Sequence, residues 1–133
     1  MDAFLSEEAR RYLKGQAFDT SRYKRDGLLL GHRRAQRFFI ERAFSCREST
    51  FSVLKNFLAL NRHFEGKIIG FFSLNSGPGE RTRLFKPFAY GKVFLKIKAG
   101  KNRRLAMKPY VIEYKDSFFL LPISFHSPPR EKP

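Results

Sequence analysis

The chain has 133 residues, 42% of them hydrophobic, which suits one domain around a single core. Its 27 Lys and Arg stand against 12 Asp and Glu, a formal charge of +15 that favours anionic partners and salt-sensitive association. A lone cysteine, Cys46, excludes an intramolecular disulfide and fits a reducing compartment, while 16 Phe and no Trp point to a core of phenyl rings.

The first residues, Met1 to Glu8, are acidic and lack an apolar signal core. Ser6 to Lys14 reads as a short helix: Ser6 caps it, Glu7 and Glu8 suit its first turn, and Gly15 stops it. Gly27 to Gly31 is a continuous apolar run, the mark of a strand covered on both faces. The basic loop from His32 to Gln36 turns it into an antiparallel partner, Arg37 to Phe44. Ser49 to Asn61 is the best helical pattern, capped by Ser49 or Thr50, with Phe51, Leu54, Phe57, Leu58 and Asn61 along one face. Lys67 to Phe72 is a central strand. The twelve uncharged residues between Lys67 and Glu80 are too few and too polar to cross a bilayer, so a cytoplasmic protein without a membrane partner is expected. A loop rich in Gly, Pro and Arg follows, from Ser76 to Phe88.

Tyr90 to Lys98 alternates, with Val93, Leu95 and Ile97 on one side and Lys92, Lys96 and Lys98 on the other. Leu105 to Tyr114 and Ser117 to Phe125 read as a hairpin around Lys115 and Asp116. The expected architecture is α+β: a mixed sheet of about six strands flanked by two or three helices. It forms one domain over residues 1–126, with a tail over 127–133.

Three segments carry a family resemblance. Gly27-Leu28-Leu29-Leu30-Gly31, the strand Phe38 to Phe44, and Gly70-Phe71-Phe72-Ser73-Leu74-Asn75-Ser76 together resemble the MPN/JAMM metalloprotease family. That family places strand, strand, helix and strand in this order, and its third strand ends in a His-x-His. The resemblance implies a central mixed sheet and a site at the end of that strand. It also implies where the zinc ligands and the catalytic Glu would stand. Here the two His positions hold Ser73 and Asn75, the Ser position Arg83, the Asp position Lys86 and the Glu position Lys24. Zinc needs imidazole, thiolate or carboxylate ligands, and three of these five groups are cations. The implied reading is a degenerate member, a pseudoenzyme without metal or other cofactor. Such a domain would act as a scaffold for an acidic, ubiquitin-like or sulfur-carrier-like protein, held by Lys24, Arg83 and Lys86. An enzyme with an altered metal site is the weakest alternative.

The second strong reading is nucleic acid. Arg81 to Lys108 contains ten basic residues and no acid. Lys92, Lys96, Lys98, Lys101, Arg103, Arg104 and Lys108 could hold phosphates while Tyr90 and Phe94 stack bases. No signature of a known nucleic-acid module accompanies them. His32, His63 and His126 are too scattered to suggest a metal site. A Ser73-His63-Asp26 triad lacks a nucleophile elbow, and Cys46 reads as a small packing residue rather than a nucleophile.

Overall fold

A computed structural model describes residues 1–19, 25–74, 83–100 and 104–127. Eight strands form one sheet: β1 (Asp2–Leu5), β2 (Arg25–Arg34), β3 (Arg37–Ser45), β4 (Ile68–Leu74), β5 (Val93–Ala99), β6 (Leu105–Lys115), β7 (Ser117–Pro122) and β8 (Ser124–His126). Three helices accompany them: α1 (Glu7–Asp19), α2 (Glu48–Phe51) and α3 (Leu54–His63), with a 3-10 turn at Pro87–Ala89. The strand order is β7-β6-β5-β4-β2-β3-β1-β8.

The two ends of that order are joined by one stretch of chain. β7 pairs antiparallel with β6, placing Pro122 opposite Tyr110. The same register continues past the last pair, because the Ile123 N–H donates to the Pro109 carbonyl. β8 then pairs parallel with β1 on its other side. The sheet therefore curls into a nearly closed barrel, which removes most of its free edge. This corrects the expected six-strand α+β sheet of MPN/JAMM type: about half of the described residues are strand, and eight strands wrap instead of six.

Two causes account for the miscount. β1 has four residues and shows only Ala3 and Leu5 as inward positions, too short a pattern to stand out. Ser117 to Phe125 read as one strand, and the chain leaves regular geometry at Ile123, after Pro122, which has no N–H to give the ladder.

Strand alternation feeds two cores. The inner face gives Ala3, Leu5, Phe38, Ile40, Leu29, Phe72, Leu74, Leu95, Ile97 and Val111, packed against Ala9, Leu13 and Ala17 of α1. The outer face gives Leu28, Leu30, Ile68, Phe71, Phe94 and Ile112, covered by Phe51, Phe57, Leu84 and Ala89. Phe71 stacks on Phe51 with ring centroids 5.3 Å apart, so the phenyl-rich composition is used as expected here. Close strand approach explains two glycines. A Cβ at Gly31 would strike the Phe39 carbonyl and one at Gly70 the Val93 carbonyl.

Both helical expectations change. Ser6 does cap α1, accepting from the Ala9 N–H at 3.0 Å, but Gly15 does not end the helix. The stripe Ala9, Leu13, Ala17 runs on past it, and that burial outweighs a glycine cost of about 1 kcal/mol. The pattern from Ser49 to Asn61 is two helices. Val53 is extended (φ −92°, ψ 127°), and neither α2 nor α3 has a side-chain cap. The break rotates α3, so Phe57 is buried while Leu54 and Leu58 face outward.

Candidate functional site

Two polar regions lie on the outer face. The first is a cleft at the end of β4, where the MPN/JAMM resemblance would set a site. Asp26 of β2 stands opposite Ser73 of β4, and the buried Ser73 hydroxyl donates to Asp26 Oδ1 at 2.9 Å. Ser73 is thus a strand residue bound to a carboxylate, inside β4, which runs two residues past the expected end at Phe72. An open cavity of about 500 Å³ begins here, lined by Asp26, Ser45, Cys46, Arg47, Glu48, Ser49 and Arg83.

The cations expected to grip an anion in this cleft are already engaged. Arg83 Nη1 donates to Glu48 Oε2 at 3.1 Å. Lys86 Nζ donates to the Ser52 carbonyl at 2.6 Å. Glu48 is 11% exposed and its Oε1 is buried with no hydrogen-bond partner. Burial also pushes the Cys46 thiol above its ordinary range, which makes it a poorer nucleophile. Lys24 and Asn75 lie outside the described residues. Among the described residues, no group of three His, Cys, Asp or Glu is placed to hold a metal ion.

The second region is the outer face of β5 and β6. Ser73 pairs with Lys96, and Lys96 pairs with Lys108, so the row of the cleft runs on into two lysines. Lys98 lies opposite Ala106 on the same face, and Arg104 precedes β6. All four cations are exposed, and among the described residues none has a carboxylate partner. Like charges directly opposite on a sheet are destabilising.

Two groups of the expected binding set do not join this face. Lys92 is half-buried. Its Nζ donates to the Ile68 carbonyl at 3.0 Å and lies 5.7 Å from the Phe57 ring, and burial holds its pKa below the lysine range. Phe94 is 4% exposed and belongs to the core, so it stacks no base. Tyr90 is exposed but precedes the opposite end of β5 from Lys98. Lys101 and Arg103 lie outside the described residues.

Sequence reading missed a third feature. His32, Phe39, Phe4 and His126 are cross-strand neighbours on β2, β3, β1 and β8. Their rings stack in series, with centroids 4.9, 5.1 and 4.6 Å apart and interplanar angles of 17°, 14° and 13°. Each end ring is held by a carboxylate: His32 Nδ1 lies 2.5 Å from Glu41 Oε1, and His126 Nε2 lies 3.0 Å from Asp2 Oδ1. The hydrogen bond with His126 is the main cause that holds the Asp2 carboxyl below its ordinary range. The four residues are too far apart in sequence for any local pattern to have linked them.

No protein-family model and no curated protein sequence matches the chain. Among solved structures, it is similar to protein DSY2949 from Desulfitobacterium hafniense, a solution structure, with a TM-score of 0.67 and 14% identity over 96% of this chain and 94% of that one. At that identity the likeness is one of fold alone. It adds nothing to the MPN/JAMM resemblance, which rests on the segments of β2, β3 and β4. No helix among the described residues is long and apolar enough to cross a membrane.

Proposed function

We propose that the chain is a non-catalytic binding module that holds a nucleic acid through the outer face of β5 and β6. The observation that supports this most is the set of exposed cations Lys96, Lys98 and Lys108 on that one face, with Arg104 just before β6, none of which has a carboxylate partner among the described residues. A solvated face gains nothing from placing Lys96 directly opposite Lys108. A row of phosphates would neutralise both and release counterions as it bound. The pseudoenzyme reading fits the Ser73, Arg83 and Lys86 substitutions, and a cytoplasmic setting fits the single free thiol.

The acidic-protein reading placed its partner in the cleft. Arg83 and Lys86 are engaged there with Glu48 and Ser52, which leaves the cleft little charge to offer. The test is a binding titration with a mixed-sequence oligonucleotide at two salt concentrations, with polyglutamate as control. Nucleic-acid binding that falls steeply with salt is expected. Absence of oligonucleotide binding at low salt, or equal capture of polyglutamate at matched charge, would overturn it.

A further inference from the structure

The curled sheet keeps one substantial free edge. β7 and β8 end the strand order, and β8 has only three residues. β7 has six, Ser117-Phe118-Phe119-Leu120-Leu121-Pro122, and none is charged. The nearest charges, Lys115 and Asp116, sit before its start. Natural edge strands are guarded by charges, bulges, prolines or short length, and β7 has only Pro122 at its end.

The backbone groups on this edge are open. The Ile123 N–H donates to the Pro109 carbonyl of β6, and the next residue, Ser124, donates to the Met1 carbonyl on the other side. Backbone groups alternate sides along a strand, so the odd-numbered residues of β7 turn toward β6. Phe118 and Leu120 turn their N–H and C=O groups away from it. Among the described residues, no strand and no backbone hydrogen bond meets them there. Side chains alternate too. Phe118 and Leu120 pack against the outer-face core. Phe119 and Leu121 lie opposite Glu113 and Val111 on the inner face, and are 39% and 38% exposed. Both faces of the open edge are therefore apolar.

We propose that β7 is a homodimer interface: two copies pair β7 against β7, antiparallel, about a two-fold axis at Phe119. The occupant is a second copy because the edge complements itself. With Phe119 on the axis, Phe118 of each copy stands opposite Leu120 of the other. These two pairs exchange four backbone hydrogen bonds and use every outward group of Phe118 and Leu120. Phe119 meets its counterpart in a non-hydrogen-bonded pair, where side chains come closest and aromatic pairs are favourable. An axis at Leu120 is poorer, because the Phe118 carbonyl would face Pro122, which has no N–H. The uncharged strand also brings two chains of net charge +15 together without opposing like charges across the pair. The dimer is independent of nucleic-acid binding.

Sedimentation equilibrium of the full chain at rising concentration should show a monomer–dimer equilibrium, weak because one strand pair is a small interface. Phe119→Lys sets two ammonium groups face to face, and Leu120→Pro removes an outward N–H without touching a bond to β6. Each should weaken dimerisation at least about tenfold. In a Cys46→Ser background, Phe119→Cys should form a disulfide-linked dimer with oxidised glutathione, since a residue on the axis meets its own copy at about 4.5 Å between Cα atoms. Leu121→Cys stands opposite Ser117 and should not cross-link. A monomer at every concentration would overturn the proposal, whether or not it captures a strand of another protein. Dimerisation that survives both β7 variants would overturn it as well, and so would equal cross-linking at positions 119 and 121. Thermal melting of each variant keeps a folding defect from passing as a lost contact.

Discussion

The cleft and the β5–β6 face hold similar side chains and differ in whether those side chains have partners. In the cleft, Arg83 meets Glu48, Lys86 meets a backbone carbonyl and Ser73 meets Asp26. On the β5–β6 face, Lys96, Lys98, Lys108 and Arg104 have no carboxylate partner among the described residues. The cations Arg83 and Lys86 of the cleft come from the same acid-free stretch, Arg81 to Lys108, as those of the face, so charge count alone does not separate them. The cleft cations tie the chain before the 3-10 turn to α2 and its C-cap; the face cations have no such bond among the described residues. Under the proposed function, the first region serves stability and the second serves binding.

The comparison breaks most readily at the strands beneath both. Gly31→Ala would drive a Cβ into the Phe39 carbonyl and separate β2 from β3. A stability loss of at least about 3 kcal/mol is expected, read as a shift in urea midpoint, because backbone must move. Next in size is the Lys96→Ala, Lys108→Ala double variant. It should weaken oligonucleotide binding more than tenfold and lower the slope of log affinity against log salt by about 0.7 to 0.9 for each lysine. Its melting temperature should hold or rise, since a like-charge pair is removed. An unchanged salt slope would remove this face from the interface.

Arg83→Ala sharpens the contrast from the other side. It leaves the Glu48 carboxylate largely buried with neither oxygen paired, and should cost about 1–3 kcal/mol. Oligonucleotide affinity should stay within about twofold, the size of a single screened surface charge. A large loss of affinity with intact stability would return the binding site to the cleft.

The smallest effect is a pH term. Lys92 has a folded pKa below its unfolded value because burial disfavours the ammonium. The fold therefore binds this proton less tightly than the unfolded chain does, and stability rises as pH climbs through the lysine range. Urea midpoints at pH 7 and pH 10 should differ by less in Lys92→Met than in the parent chain. Equal differences would mean that Lys92 is solvated and not buried against Phe57.

Much of the framework was legible along the chain. Period-two alternation marked β5 through Val93, Leu95 and Ile97, and all three are buried. The apolar run Leu28 to Leu30 marked a strand with core on both faces, and its residues divide between the two clusters. What failed was anything set by a neighbour distant in sequence. Leu54 and Leu58 looked like core positions until the extended Val53 turned α3. Phe94 looked like a stacking ring until Phe71 and Tyr110 enclosed it across the sheet.

Residue order alone set the excess positive charge, the non-ligating side chains of Ser73, Asn75, Arg83, Lys86 and Lys24, and the identity of most strands. These are properties of composition and of short-range periodicity, which each segment carries by itself. Tertiary structure decided which cations are satisfied and which rings touch. Parallel pairing of β1 with β3 and β8 brings Phe4 between Phe39 and His126. The Phe4–His126 contact joins residues more than a hundred positions apart, and only closure of the sheet makes them neighbours.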